Sequence, residues 1–263
     1  MPSIACACRD VMLTADPLAK VMAARAAARN WHLGRLDPLF DVAMPDRPAR
    51  PSTPELLPPN RMPRRGKAGS LRTRVAMLHA LAHIEFVAID LAIDCAGRFG
   101  GQFERSFVND WIAVAADEAM HFALLSRRLR QLGSHYGALP AHNGLWEAAE
   151  DTAHDVMARL AIVPMVLEAR ALDVTPAMIE RFTGGGDTAS ARILDRIMND
   201  EIRHVGAGTR WFKLAANRAA RDPVEEHKSL LSRHFRGALR PPFNDSARHR
   251  AGLTREYYAA LAW

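Results

Sequence analysis

Two short segments of the chain, Asp117-Glu118-Ala119-Met120-His121 and Asp200-Glu201-Ile202-Arg203-His204, repeat the pattern Asp-Glu-x-x-His. Their glutamates stand 83 positions apart, and 33 positions before each of them comes a further glutamate, Glu85 or Glu168. The flanks of these two also match, since Glu85-Phe-Val-Ala-Ile-Asp90 parallels Glu168-Ala-Arg-Ala-Leu-Asp173. The chain carries one plan twice: a helix with a single Glu, then a helix with Glu-x-x-His. Four carboxylates and two imidazoles delivered by four helices are a ligand set for two iron or manganese ions.

Residues i and i+3 share a helical face, so Glu118 with His121, and Glu201 with His204, point together into a bundle. Four buried carboxylates without compensation lose their hydration and repel one another. Two cations remove that conflict, and mixed oxygen and nitrogen ligation suits iron, manganese or a mixed Mn/Fe pair. In this arrangement Glu118 and Glu201 bridge the metals and Glu85 and Glu168 are terminal ligands. His121 and His204 each bind one ion. Asp117 and Asp200 are placed to accept the second N–H of a ligating histidine. A lone Glu-x-x-His is a common accident of exposed helices, and a lone Glu in an apolar stripe often reflects a misjudged face. Neither accounts for two copies with equal spacing and matching flanks. The other histidines lack such a setting. His83, two residues before Glu85, falls on the far side of its helix and reads as a hydrogen-bonded structural residue. His79 pairs with it only as a secondary candidate, and His142 and His154 have no identifiable partner.

The elements that must carry these residues read as helices throughout. Ala-rich residues Asp16–Asn30 predict a short helix. Eight prolines between Leu36 and Gly69 leave no room for helix or central strand, so this stretch is an extended arm or linker ending in the basic run Arg61–Lys67. Ser70 is an N-cap candidate for a helix over Leu71–Cys95, closed by Gly97 and Gly100-Gly101. A second helix spans Glu104–Leu132 and ends at Gly133. A third spans Leu145–Leu172, with Pro164 predicting either a kink that aims Glu168 or a plain break. Thr175-Pro176 and Gly184–Gly186 mark connections. The fourth helix covers Thr188–Ala216, and Gly206 and Gly208 on it either open space near the site or permit close packing. A mixed, basic tail follows Asp222-Pro223 and closes on Tyr257, Tyr258 and Trp263. The expected organisation is an N-terminal helix and arm (1–69), a di-metal four-helix bundle (70–216) and a C-terminal extension (217–263). The fold class is all-α.

Composition sets outer bounds. With 263 residues, 49% apolar and 24% charged, the chain is an ordinary globular sequence able to bury a sizeable core. Its net charge of +6 permits an acidic partner such as RNA without requiring one. Three cysteines cannot close a disulfide framework, and Cys6-x-Cys8 lacks the second ligand pair of a zinc site. No secretory leader is evident, and no run reaches the roughly 20 apolar residues of a membrane span. The expectation is a cytoplasmic protein with no membrane association.

Longer strings carry a resemblance. Leu78-His-Ala-Leu-Ala-His-Ile-Glu85, Asp117-Glu-Ala-Met-His-Phe122, Ala141-His-Asn-Gly-Leu-Trp146, the run Arg159-Leu-Ala-Ile-Val-Pro-Met-Val-Leu-Glu-Ala-Arg170, Asp200-Glu-Ile-Arg-His204 and Pro242-Phe-Asn-Asp245 are similar to a bacterial branch of the ferritin-like di-iron superfamily, a domain-of-unknown-function family. The similarity spans about residues 30–255. It implies a ferritin-like bundle holding two Fe ions, and a distant similarity to bacterial tRNA hydroxylases. Radical-forming ribonucleotide reductase subunits carry a Tyr one turn after the first ligating His; Leu125 and Gly208 stand at the two matching positions here, which argues against that activity. The resemblance does not imply a substrate. One expectation is an oxidoreductase that uses O₂ to oxidise or hydroxylate an organic substrate, with a modified nucleoside in tRNA left open by the basic charge. The alternative is an iron-binding, ferroxidase or oxidative-stress protein without an organic substrate. A third reading is a bundle kept as a scaffold with an empty site. Electron donor and oligomeric state are not legible.

Overall fold

The structure, a computed structural model, describes residues 1–63 and 69–259. Arg64, Arg65 and Lys67 of the basic run, and the final Trp263, lie outside the described residues. Every regular element among the described residues is helical, so the protein is all-α. The only bridges among them are the isolated pairs Ser3 with Asp37 and Leu56 with Ala141. The chain groups into two compact units, 1–146 and 147–263.

The first unit opens with α1 (Ile4–Met12) and α2 (Pro17–His32), each started by a side-chain cap. Ser3 Oγ accepts from the Cys6 N–H at 3.1 Å and the Asp16 carboxylate from the Ala19 N–H at 2.8 Å, satisfying amides that a helix start leaves without partners. Sequence reasoning missed α1. The arm that follows is extended, as its prolines require. Ser70 and Thr73 form a reciprocal capping box at the start of α3 (Leu71–Phe99). This helix continues through Gly97, the expected stop. A Cβ there would lie 2.5 Å from Met44 Sδ and 2.9 Å from Cys8 Cβ, so Gly97 lets α1 and the arm approach closely. A short turn leads into the antiparallel α4 (Arg105–Gln131), which Gly133 terminates at φ +76°. By length and composition the stretch Leu71–Gln102 could cross a membrane, contrary to the sequence expectation. Of its most apolar window 78% is buried inside the protein, which makes α3 a core helix.

The unit boundary falls within α5 (Gly144–Asp151). In the second unit, the expected third helix is divided. After a break, Asp155 caps α6 (Val156–Ile162), which passes through a π-helical segment, Val163–Glu168, into α7 (Ala169–Gly184). Pro176 lies inside α7 instead of ending it. A proline there removes the N–H owed to the Leu172 carbonyl, and Asn244 Nδ2 supplies the missing donor at 3.1 Å. A turn through Gly186 (φ +75°) leads to the antiparallel α8 (Thr188–Arg218). The tail is more ordered than its composition suggests. Asp222 caps α9 (Pro223–His234), with Pro223 at the first helical position, and Asn244 caps α10 (Asp245–Arg250).

Candidate metal centre

In the first unit, Glu85 from mid-α3 meets Glu118 and His121 from α4. All three are buried, at 4%, 1% and 0% exposure. His121 Nδ1 lies 3.1 Å from Glu85 Oε2 and 3.3 Å from Glu118 Oε2, and each residue offers a ligand atom within 4.8 Å of the others. The i, i+3 spacing on α4 and the antiparallel partner α3 produce this convergence. Burial, and then the Glu118 carboxylate, push Glu85 well above the usual carboxylate range, with His121 partly opposing them. Burial alone would lower His121, but its hydrogen bonds to Glu118 and Glu85 outweigh it and raise the imidazole to about 11. A divalent ion would relieve the repulsion between the two buried carboxylates, and with one imidazole they form a mixed O/N donor set.

The second unit carries the repeated residues differently. On α8, Glu201 and His204 are buried, with His204 Nδ1 3.6 Å from Glu201 Oε1. Glu168 is half-buried and is the last residue of the π-helical segment, whereas Glu85 sits in regular α-helix. The segment is fixed from α8: a Cβ on Gly208 would lie 2.4 Å from Pro164 Cβ and Cγ. Gly208 is a seat for the proline ring, while Gly206 lies against Ala251. The pair Pro164–Gly208 therefore sets where the π-helix, and with it Glu168, begins its turn.

Asp200, assigned by the sequence to orient a histidine, is buried and receives Arg196 Nε at 2.6 Å and a second ion pair from Arg203. Asp117 is half-buried beside Glu118. His83 has the structural role expected of it. Its Nε2–H donates to the His142 carbonyl at 3.2 Å, leaving Nδ1 to accept from the Tyr136 hydroxyl at 2.9 Å. His79 Nε2 accepts the Gly137 N–H at 2.9 Å, and His142 Nδ1 accepts the Gly144 N–H at 3.2 Å. His154 contacts the His234 ring, with centroids 6.2 Å apart. Trp111, Met165 and Trp211 are core residues.

Two further residues went unrecognised although the matched flanks contained them. Asp90 and Asp173 each follow the single Glu of their repeat by five positions, and both are buried. Asp90 receives Lys20 Nζ from α2 at 2.5 Å and an ion pair from Arg50 of the arm. Asp173 receives Arg248 from α10 through two hydrogen bonds, at 2.8 and 2.7 Å, and the Asn244 N–H at 2.9 Å. Each repeat thus anchors its own flanking extension at the same position. Lys20 is wholly buried, and that burial lowers its pKa although Asp90 opposes the shift.

An all-α chain with a buried Glu/Glu/His cluster able to hold a metal ion is the class these features define. The chain belongs to the family described as Protein of unknown function (DUF455), whose model matches residues 13–259. It is 41% identical to an uncharacterised protein of Haemophilus influenzae over 213 residues, covering 79% of this chain and 74% of that protein. No solved structure matches.

Proposed function

We propose that the protein is a di-metal oxidoreductase in which the two Glu, Glu-x-x-His sets together bind a pair of iron ions that react with O₂ to oxidise an organic substrate. The observation that carries this reading is the buried Glu85, Glu118 and His121 cluster, together with the recurrence of its ligand types at Glu168, Glu201 and His204. In this reading Glu118 and Glu201 would be shared between the two ions, and Glu85, His121, Glu168 and His204 would each hold one. When bound, the iron pair supplies the redox chemistry. The protein's own part is to hold six donors in a dry setting and to release protons as metal enters. Because burial and Glu118 raise the Glu85 carboxyl and hydrogen bonds raise the His121 imidazole, protons compete with metal for these donors and affinity rises with pH. Manganese or a mixed pair fits the same donors. The +6 charge supports tRNA as a first class of substrate to screen.

The test is metal content after purification without chelators, followed by anaerobic Fe(II) loading and O₂ addition. About two irons per chain, rapid O₂ uptake and a change in iron absorption are expected, with loss of all three in Glu118→Ala and Glu201→Ala. Loading that ignores these substitutions would sink the reading. Iron oxidation that mineralises, with no organic product from any substrate tested, would favour the iron-handling alternative.

A further inference from the structure

The first unit contains a concavity that none of the cluster residues Glu85, Glu118 and His121 lines. It lies between the start of α2, the last turns of α4 and the loop after them, with a volume of about 400 Å³. This is within the usual range of small-molecule sites, roughly 300 to 1,000 Å³. Its walls are apolar and aromatic, formed by Leu18, Val21, Phe122, Ala123 and Tyr136. Phe122 and Tyr136 meet edge to face, with centroids 5.0 Å apart at 88°. Tyr136 is fixed from behind. Its hydroxyl is committed inward to His83, His79 stacks on its ring at 5.6 Å, and Phe86 packs at 5.4 Å. Such a wall is set before any ligand arrives, so little ordering entropy is lost on binding.

The polar groups are at the rim. Arg130 gives one N–H to Ser126 Oγ at 3.2 Å, and a guanidinium has further donors to offer. His135 lines the same cavity, and Arg127 and Arg128 stand on the same last turns of α4. The one carboxylate at the mouth, Asp16, is at the α2 end and already accepts the Ala19 N–H. We infer that this pocket binds a planar aromatic monoanion, with its one or two fused rings against Phe122 and Tyr136 and its acidic group toward Arg130. Ring–ring contact and a charge-assisted hydrogen bond at opposite ends define that class.

The probe is naphthalene-2-carboxylate, titrated calorimetrically into the full-length protein with and without bound metal. Saturable 1:1 binding is expected, equal in both states because the pocket is distinct from the carboxylate cluster. The cation naphthalen-2-ylmethylamine should bind more weakly. Arg130→Ser, at an exposed position that leaves the fold intact, should weaken the carboxylate roughly tenfold. Ala123→Trp should fill the cavity and abolish binding, whereas Tyr136→Phe, which keeps the ring, should retain it. Absence of saturable binding, a metal requirement, equal affinity for the amine, or indifference to both Arg130→Ser and Ala123→Trp would each overturn the assignment.

Discussion

Two buried histidines outside the Glu85, Glu118 and His121 cluster make the residue-scale chemistry measurable by pH alone. Burial lowers both His83 and His227 to about 4, and neighbouring charge from Arg50 adds to the effect at His83. In the unfolded chain both would titrate near 6.5, so below that pH the unfolded state binds protons that the folded state refuses. The stability they contribute is complete above pH 6.5 and is lost as pH falls through 4, to roughly 3 kcal/mol for each histidine. His121 works in the other direction. Its raised pKa, about 11, adds stability that is present below pH 6.5 and lost as pH climbs toward 11, so it does not mask the acid effect. Glu85, held above the usual carboxylate range by burial and Glu118, favours the folded state as pH falls and offsets part of the effect. Urea unfolding of metal-free protein between pH 7 and 4 should therefore show a net fall in stability carried by His83 and His227. In His227→Phe the slope should shrink by about 1.4 kcal/mol per pH unit. An unchanged slope would mean that His227 is protonated in the folded protein.

Helices expose what composition conceals, and the prolines show why. The sequence made the long helices α3, α4 and α8 legible, because capping residues, apolar periodicity and the glycines at 133 and 186 all agree, whereas the expected third helix is divided. Pro164 and Pro176 were harder. Both look like breaks, yet each is accommodated by a distant residue: Gly208 receives the ring of Pro164, and Asn244 satisfies the carbonyl orphaned by Pro176. No local pattern reveals a donor 68 residues further along. The helices α1, α9 and α10 were hidden for a similar reason, being short and held by capping and packing more than by propensity. Gly97 looked like a stop because its close approach to Met44 and Cys8 is tertiary. A double-mutant cycle isolates the Pro176 device. Asn244→Ala should cost about 1–3 kcal/mol, part of it from the unsatisfied Leu172 carbonyl. In a Pro176→Ala background the helix regains its own N–H donor, and the cost should fall measurably in chemical denaturation. Strict additivity would show that Asn244 acts only as the cap of α10 and a partner of Asp173.

At the scale of the whole molecule, the repeated aspartates explain why the chain is longer than four helices. Asp90 and Asp173 come five residues after Glu85 and Glu168, a rotation of about 140° around a helix. A residue so placed faces away from the glutamate, so one helix can serve the cluster on one side and an extension on the other. Lys20 and Arg50 come to Asp90 from the N-terminal side of the sequence, and Arg248 comes to Asp173 from the C-terminal side. Phe243 and Tyr258 flank the Arg248 guanidinium at 5.1 and 4.5 Å, and Arg170 binds the carbonyls of Arg240 and Pro242. The Pro242-Phe-Asn-Asp245 string is therefore a clamp on α7. Removing one partner of a buried ion pair leaves the other charge uncompensated, at a cost of about 3–5 kcal/mol. Asp90→Ala should accordingly destabilise the fold by that amount and raise hydrogen exchange in α2 and the arm around Arg50. Asp173→Ala should do the same around α10 and the segment 240–258. The two effects are expected to stay on their own sides, because each aspartate holds only its own extension. Exchange that rises in both extensions with either substitution would instead make the anchors one cooperative network, and the repeat would then be a folding unit as well as a carrier of the Glu and His residues.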